Sequence, residues 1–154
     1  MFHEYDTAVE HYGKVLSVNA GFWPARMMLG NAYVMKGMFP EAVEAFRAAR
    51  NLAGETTMVD GALGYALALS GDTDAARACL AGLRANEGTR YVRPYDTALI
   101  HTALGETERA LDDLERAYRE RGNWLNYLRV DPAFDALRGE ERFRGLLEKV
   151  FANA

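Results

Sequence analysis

Between Trp23 and Gly54 the apolar and small residues fall into two stripes at helical spacing. Leu29, Gly30 and Tyr33 share one face at i, i+1 and i+4. Ala42, Phe46 and Ala49 share another at i, i+4 and i+7. Gly37 stands between the stripes, where a residue tolerant of the left-handed conformation can end a helix. The short connection predicts an antiparallel pair. Gly30 and Ala42 let the two backbones approach, and Tyr33 and Phe46 supply bulk around the contact.

The same pattern returns along the chain. Gly37, Gly71 and Gly105 are spaced by 34 residues, as are Ala8, Ala42, Ala76 and Ala110. Tyr12, Phe46, Leu80 and Leu114 keep the same interval, and so do Val15, Ala49, Leu83 and Ala117. Leu29-Gly30 comes back as Leu63-Gly64. Agreement among independent registers predicts an internal repeat, and a helical repeat of this length cannot bury its apolar face without neighbours. The expected fold is all-α.

Residues Leu29, Gly30, Tyr33, Ala42, Phe46 and Ala49 resemble the signature of the tetratricopeptide repeat (TPR) family. The next unit resembles it through Leu63, Gly64, Leu67, Ala76 and Leu80. The one after departs from it, with Ala98 for the glycine and His101 for the tyrosine, but keeps Ala110, Leu114 and Ala117. The resemblance covers roughly residues 4 to 120. It implies a right-handed superhelical stack of antiparallel helix pairs.

The divisions that follow are a lone second helix over 4–20, units over 21–54, 55–88 and 89–122, and C-terminal capping helices over 123–154. The lone helix, with Ala8, Tyr12 and Val15 in register, suggests a chain that begins partway through an array. Pro24 and Pro40 fall in the first turns of their helices. Thr56 or Thr57, and Asp72, are predicted caps. The apolar ALGYALALSG segment predicts a helix at the centre of the stack. Pro94 opens a short helix to Leu104, and Arg93 before it is biased toward extended backbone. Its partner is expected over Glu106 to Arg121. In the tail, Pro132 and Arg144 break the period although Gly139 keeps it. A helix near Trp124–Leu128, a turn at Asp131-Pro132, another at Phe134–Leu137 and a helix over Glu140–Phe151 are expected. Trp124, Leu128, Phe134, Leu137, Phe143, Leu146 and Leu147 are the predicted covering residues, since an array must close its last apolar face.

In the TPR family the first helices line a groove that takes an extended or helical peptide. The positions implied here are Met27, Asn31, Val34 and Met35; then Met58, Gly61, Tyr65, Ala68 and Leu69; then Tyr95, Asp96, Leu99 and Thr102. Such a lining is rich in methionine and poor in charge, which suits an adaptable apolar or amphipathic partner. Some family members clamp the carboxylate of a chaperone tail. Asn31 matches one clamp position, but Met27, Ala62 and Val92 stand where polar or basic groups belong, so no such binding is expected. Met27→Glu with Tyr65→Glu is expected to spare the fold and weaken binding.

Composition narrows the classes further. A net charge of −4 over 154 residues gives no basic footprint for nucleic acid. The single cysteine, Cys79, excludes an intrachain disulfide and reads as a half-buried thiol. No apolar run reaches membrane-spanning length, so no membrane partner and a cytoplasmic setting are the default expectations. His3, His11 and His101 make no metal pattern, and His101 reads as a packed helix-face histidine. Asp112-Asp113 reads as a solvated pair, and Asp131 and Asp135 as caps and turn formers. No phosphate loop or nucleophile elbow occurs. No catalytic residue, cofactor or metal is therefore expected. The leading function is a protein-interaction scaffold. The alternatives are homodimerisation, through the groove or the lone first helix, and a regulatory spacer whose groove its own tail fills. The tail resembles the ends of TPR segments that follow kinase, cyclase or DNA-binding modules in bacterial signalling proteins.

Overall fold

The computed structural model describes residues 2–152, with side chains from residue 4 onward; the side chain of His3 lies outside the described residues. Among the described residues eight α-helices follow in order: α1 Phe2–Val18, α2 Trp23–Met35, α3 Phe39–Ala53, α4 Thr57–Leu69, α5 Thr73–Ala85, α6 Pro94–Ala103, α7 Thr107–Arg119 and α8 Glu141–Phe151. Two 3-10 turns, Asn123–Tyr127 and Pro132–Leu137, lie between α7 and α8. Among the described residues there is no strand.

The period is written into the backbone. Gly37, Gly71 and Gly105 all adopt positive φ, at 72°, 88° and 72°. Beyond each one, an amide closes the turn onto a carbonyl of the preceding helix. Met38 N–H donates to Tyr33, Asp72 N–H to Leu67 and Glu106 N–H to His101, at 2.9, 3.0 and 2.9 Å. These three Schellman caps recur at the repeat interval and satisfy carbonyls a helix end would otherwise orphan. They join α2 to α3, α4 to α5 and α6 to α7 as hairpins. A fourth cap of the same kind ends α7, where Gly122 N–H donates to Ala117 at 2.9 Å. There Arg121, outside the register of those glycines, takes the left-handed position at φ 55°.

Helix starts follow the sequence as well. Pro24, Pro40 and Pro94 sit in the first turns of α2, α3 and α6. The Thr56 hydroxyl accepts from Val59 N–H, and the Asp72 carboxylate from Ala75 N–H. Arg93 is extended, as a residue before proline should be.

Packing is densest within each hairpin and weaker between hairpins. Helix α1 lies on α2, α3 on α4, and α4 on α6. The helix α4 is therefore central, with Val59, Leu63, Ala66 and Leu67 all buried. Close approach explains its glycines. A Cβ at Gly64 would stand 2.7 Å from Ile100 of α6 and 3.0 Å from Cys79 of α5, and one at Gly61 would stand 2.9 Å from Asp96. Gly61 therefore faces α6 rather than an open groove.

Two apolar clusters result. One joins α2–α5 to Val92 and Ile100. The other joins α6, α7 and the tail through Leu114, Leu128, Phe134, Leu137, Phe143 and Leu146. Leu147 packs at its edge. Trp124 was expected among these covering residues, but it is 48% exposed. Its ring lies against the Arg93 guanidinium, at 4.9 Å, instead of in the core. Arg142 fastens α8 to α7 through Glu108, Asp112 and Glu115, at 2.7, 2.7 and 3.0 Å.

The Asp112-Asp113 pair divides in two. Asp112 is exposed and paired with Arg142, whereas the side chain of Asp113 is 15% exposed. Asp113 turns inward because position 113 shares a helical face with Ala110, Leu114 and Ala117, which are buried. Its Oδ2 has no hydrogen-bond partner and lies 3.6 Å from His101 Nε2. His101 is buried, with Nδ1 2.6 Å from Glu106 and Nε2 3.1 Å from Arg84. The packed reading of His101 holds, and its neighbours are ionic.

Candidate functional site

One face of α2, α4 and α6, closed off by the tail, forms a cleft of about 520 Å³. Helix α2 supplies the longest stretch of wall, with Trp23, Pro24, Met27, Met28, Asn31, Val34 and Met35. Helix α4 adds Met58, Ala62 and Tyr65, and the start of α6 adds Arg93, Tyr95, Asp96 and Leu99. Trp124, Asp131, Pro132 and Ala133 come from the tail, and Phe46 reaches in from α3.

Of the positions that the register assigned to a groove, Met27, Asn31, Val34, Met35, Met58, Tyr65, Tyr95, Asp96 and Leu99 are brought together here. Leu69 does not line the cleft, nor do Gly61, Ala68 and Thr102. Leu69 is the last residue of α4, and the cleft reaches no further than Tyr65 along α4 and Leu99 along α6. Register alone also missed Met28, Arg93, Trp124 and the wall from Asp131 to Ala133. Arg93 stands where the earlier units have Ala25 and Val59, and the tail wall lies outside the repeating pattern, so no periodic signal marks them.

The lining is unevenly built. Met28, Met35 and Met58 are each more than 40% exposed along its apolar part. Met27 is 4% exposed and belongs to the core beneath. Met27→Glu therefore does not spare the fold: a carboxylate there would be buried without a partner, which costs several kcal/mol at about this depth. Outward-facing Met35 and Met58 are the positions that tolerate charge.

The end formed by α6 and the tail is polar. The Arg93 Nε donates to Asp96 Oδ2 at 2.8 Å while its guanidinium covers Trp124. The Tyr95 hydroxyl donates to Asp131 Oδ2 at 2.6 Å, and Ala133 N–H donates to Asp131 Oδ1 at 2.9 Å. Asp131 is thus the cap and turn former expected of it, and also a wall of the cleft. The lining consequently holds three charged side chains, more than the sequence pattern suggested.

Burial shifts these groups. It pushes the Asp96 carboxyl up to about 6, with Arg93 opposing. It pushes the Tyr65 hydroxyl up to about 12, with the Asp131 charge adding to the rise. Burial, then the bond to Asp131, raises Tyr95 further, so both phenols keep their protons at neutral pH. Cys79, away from the cleft, is a half-buried thiol whose ionisation burial also opposes.

The raised Asp96 value carries a pH dependence of definite sign. A carboxyl that binds its proton more tightly folded than unfolded favours the fold once protonated. That contribution is complete below the ordinary value of 3.8 and is lost as pH rises through about 6. Asp96→Asn should remove it. Relative to the parent, the variant is expected to lose about 1 kcal/mol on going from pH 7.5 to pH 5. Urea titrations of both proteins at the two pH values measure this; a constant difference would contradict the assignment.

Among the described residues no group of three or more His, Cys, Asp or Glu side chains could hold a metal ion. Among them, too, no helix is long and apolar enough to cross a membrane. No family model, no curated protein and no solved structure matches the chain.

Proposed function

We propose that the chain is a non-catalytic protein-interaction module, TPR-like in its units, whose cleft receives apolar side chains from a peptide or amphipathic helix of another protein. The units run over 21–54, 55–88 and 89–122, with 123–154 as the cap, and the setting is cytoplasmic. The observation that carries the reading is the coincidence of a continuous cleft with outward-facing methionines. Met28, Met35 and Met58 leave flexible, polarizable side chains half in water around a concavity. Such side chains repack around varied apolar shapes. An amphipathic helix laid in a groove uses anchors of this kind. The tail supports the reading by making a wall, so that the concavity is bounded and not merely a flat apolar face.

The test is Met35→Glu combined with Met58→Glu. Both side chains are exposed enough for the helical circular-dichroism signal and melting temperature to stay near those of the parent. Affinity for a short uncharged amphipathic helical peptide of leucine and glutamine is expected to fall about tenfold or more, the loss of one or two well-packed anchors. Unchanged affinity in a folded variant would overturn the proposal. If the pair of substitutions instead dissociates a dimer seen by sedimentation, the occupant is a second copy of the chain, which is the self-association alternative.

A further inference from the structure

The two ends of the cleft differ in charge, and that difference points to the kind of segment that fits it. Among the described residues, the end lined by Trp23, Met28, Met35 and Met58 carries no ionisable side chain. At the other end stand Arg93, Asp96 and Asp131. Arg93 is already committed, with Nε on Asp96 and its face on Trp124. The charge of Asp96 is therefore answered within the protein. That of Asp131 is not. Its two oxygens accept from a phenol and a backbone amide, both neutral, and among the described residues it has no ion-pair partner. Its field nonetheless reaches both phenols in the wall, since it helps raise Tyr65 and Tyr95. The polar end is left with one uncompensated negative charge beside apolar surface.

Resting on the reading of the cleft as a peptide site, we infer that its partner segment is amphipathic and basic, placing a lysine or arginine beside Asp131 and apolar side chains among the exposed methionines. Each carboxylate oxygen has lone-pair capacity beyond its present bond, so a cationic N–H donor can be accepted without breaking the existing contacts. A charge-assisted bond in a partly desolvated cleft discriminates against an acidic segment as well as favouring a basic one. Methionines then set affinity, and Asp131 sets which end of the segment lies where.

The experiment compares three helical peptides of equal leucine content, with lysine, glutamine or glutamate on the polar face. The lysine peptide is expected to bind the parent protein about tenfold more tightly than the glutamine peptide, and the glutamate peptide more weakly still, the size of one charge-assisted hydrogen bond. In Asp131→Asn, which keeps an oxygen to cap the turn, the ratio of lysine-peptide to glutamine-peptide affinity should fall to about one. Glu44→Gln removes the same charge from the exposed face of α3 and should leave the preference intact. Salt titration of the parent reads the charge without any substitution: raised salt should weaken the lysine peptide and not the glutamine one. A preference that survives Asp131→Asn, or is absent in the parent, overturns the inference while leaving the cleft reading standing. Failure of all three peptides to bind takes down both.

Discussion

Gly30→Leu is expected to destabilise the protein by about 3 kcal/mol or more, the upper range for forcing volume into a packed contact. A Cβ at position 30 would lie 2.5 to 2.8 Å from three carbons of the Phe46 ring. Phe46 is 1% exposed and packed in the cluster that joins α2–α5, with its ring also against the cleft. Either the ring gives up that packing or the helices separate, and in both cases the contact that defines the hairpin is lost. Even alanine should fail there. In a free helix glycine to alanine gains about 1 kcal/mol, but that gain is smaller than the overlap. Gly82 provides the contrast, since it sits in α5 with nothing within 4 Å of an added Cβ. Gly82→Ala should therefore gain up to about 1 kcal/mol. Urea unfolding of the three variants separates propensity from packing. Equal behaviour of Gly30→Ala and Gly82→Ala would mean that α2 and α3 do not meet as described.

Phe134→Ala is expected to cost about 3–5 kcal/mol, the range for emptying a buried aromatic site. Phe134 is fully buried, packs edge-to-face on Tyr95 at 5.2 Å and lies 6.4 Å from Phe143. It ties the second 3-10 turn to α6 and so holds Asp131, Pro132 and Ala133 in place as a wall. The loss should be local before it is global. Amide exchange is expected to accelerate in α6, α7 and the tail, with α2–α5 staying protected, because the two apolar clusters are separate. Peptide binding should weaken as well, although no methionine has changed. Uniform loss of protection would show a single cooperative core instead.

These two sites also mark how far the sequence could be read. Gly30 was legible because a repeat has to place small residues wherever its helices touch, and it does so at a fixed interval. The caps at Gly37, Gly71 and Gly105 were legible for the same reason: only a residue without a Cβ adopts positive φ at little cost. The tail was legible as a cap in kind but not in detail. Its apolar residues announced burial, yet nothing in their spacing said that Trp124 would stay outside under Arg93. Asp113 was misread because a charged neighbour, Asp112, hid the fact that position 113 faces inward. On the cleft, register found the residues on the first helices. It missed the wall from Asp131 to Ala133, because that wall depends on how an aperiodic segment folds back onto α6. Leu69 stands one period after Met35, but the cleft does not extend to the last turn of α4.

The central claim is that the cleft, and no other face, receives the partner. Methyl NMR of protein labelled at its six methionines tests it directly. On titration with the leucine–lysine peptide, the methyl signals of Met28, Met35 and Met58 should shift together and saturably, with Met27 following from below. Met38, at the start of α3 and off the cleft, should stay still. Shifts centred on Met38, or binding that leaves all the cleft methionines unmoved, would contradict the account.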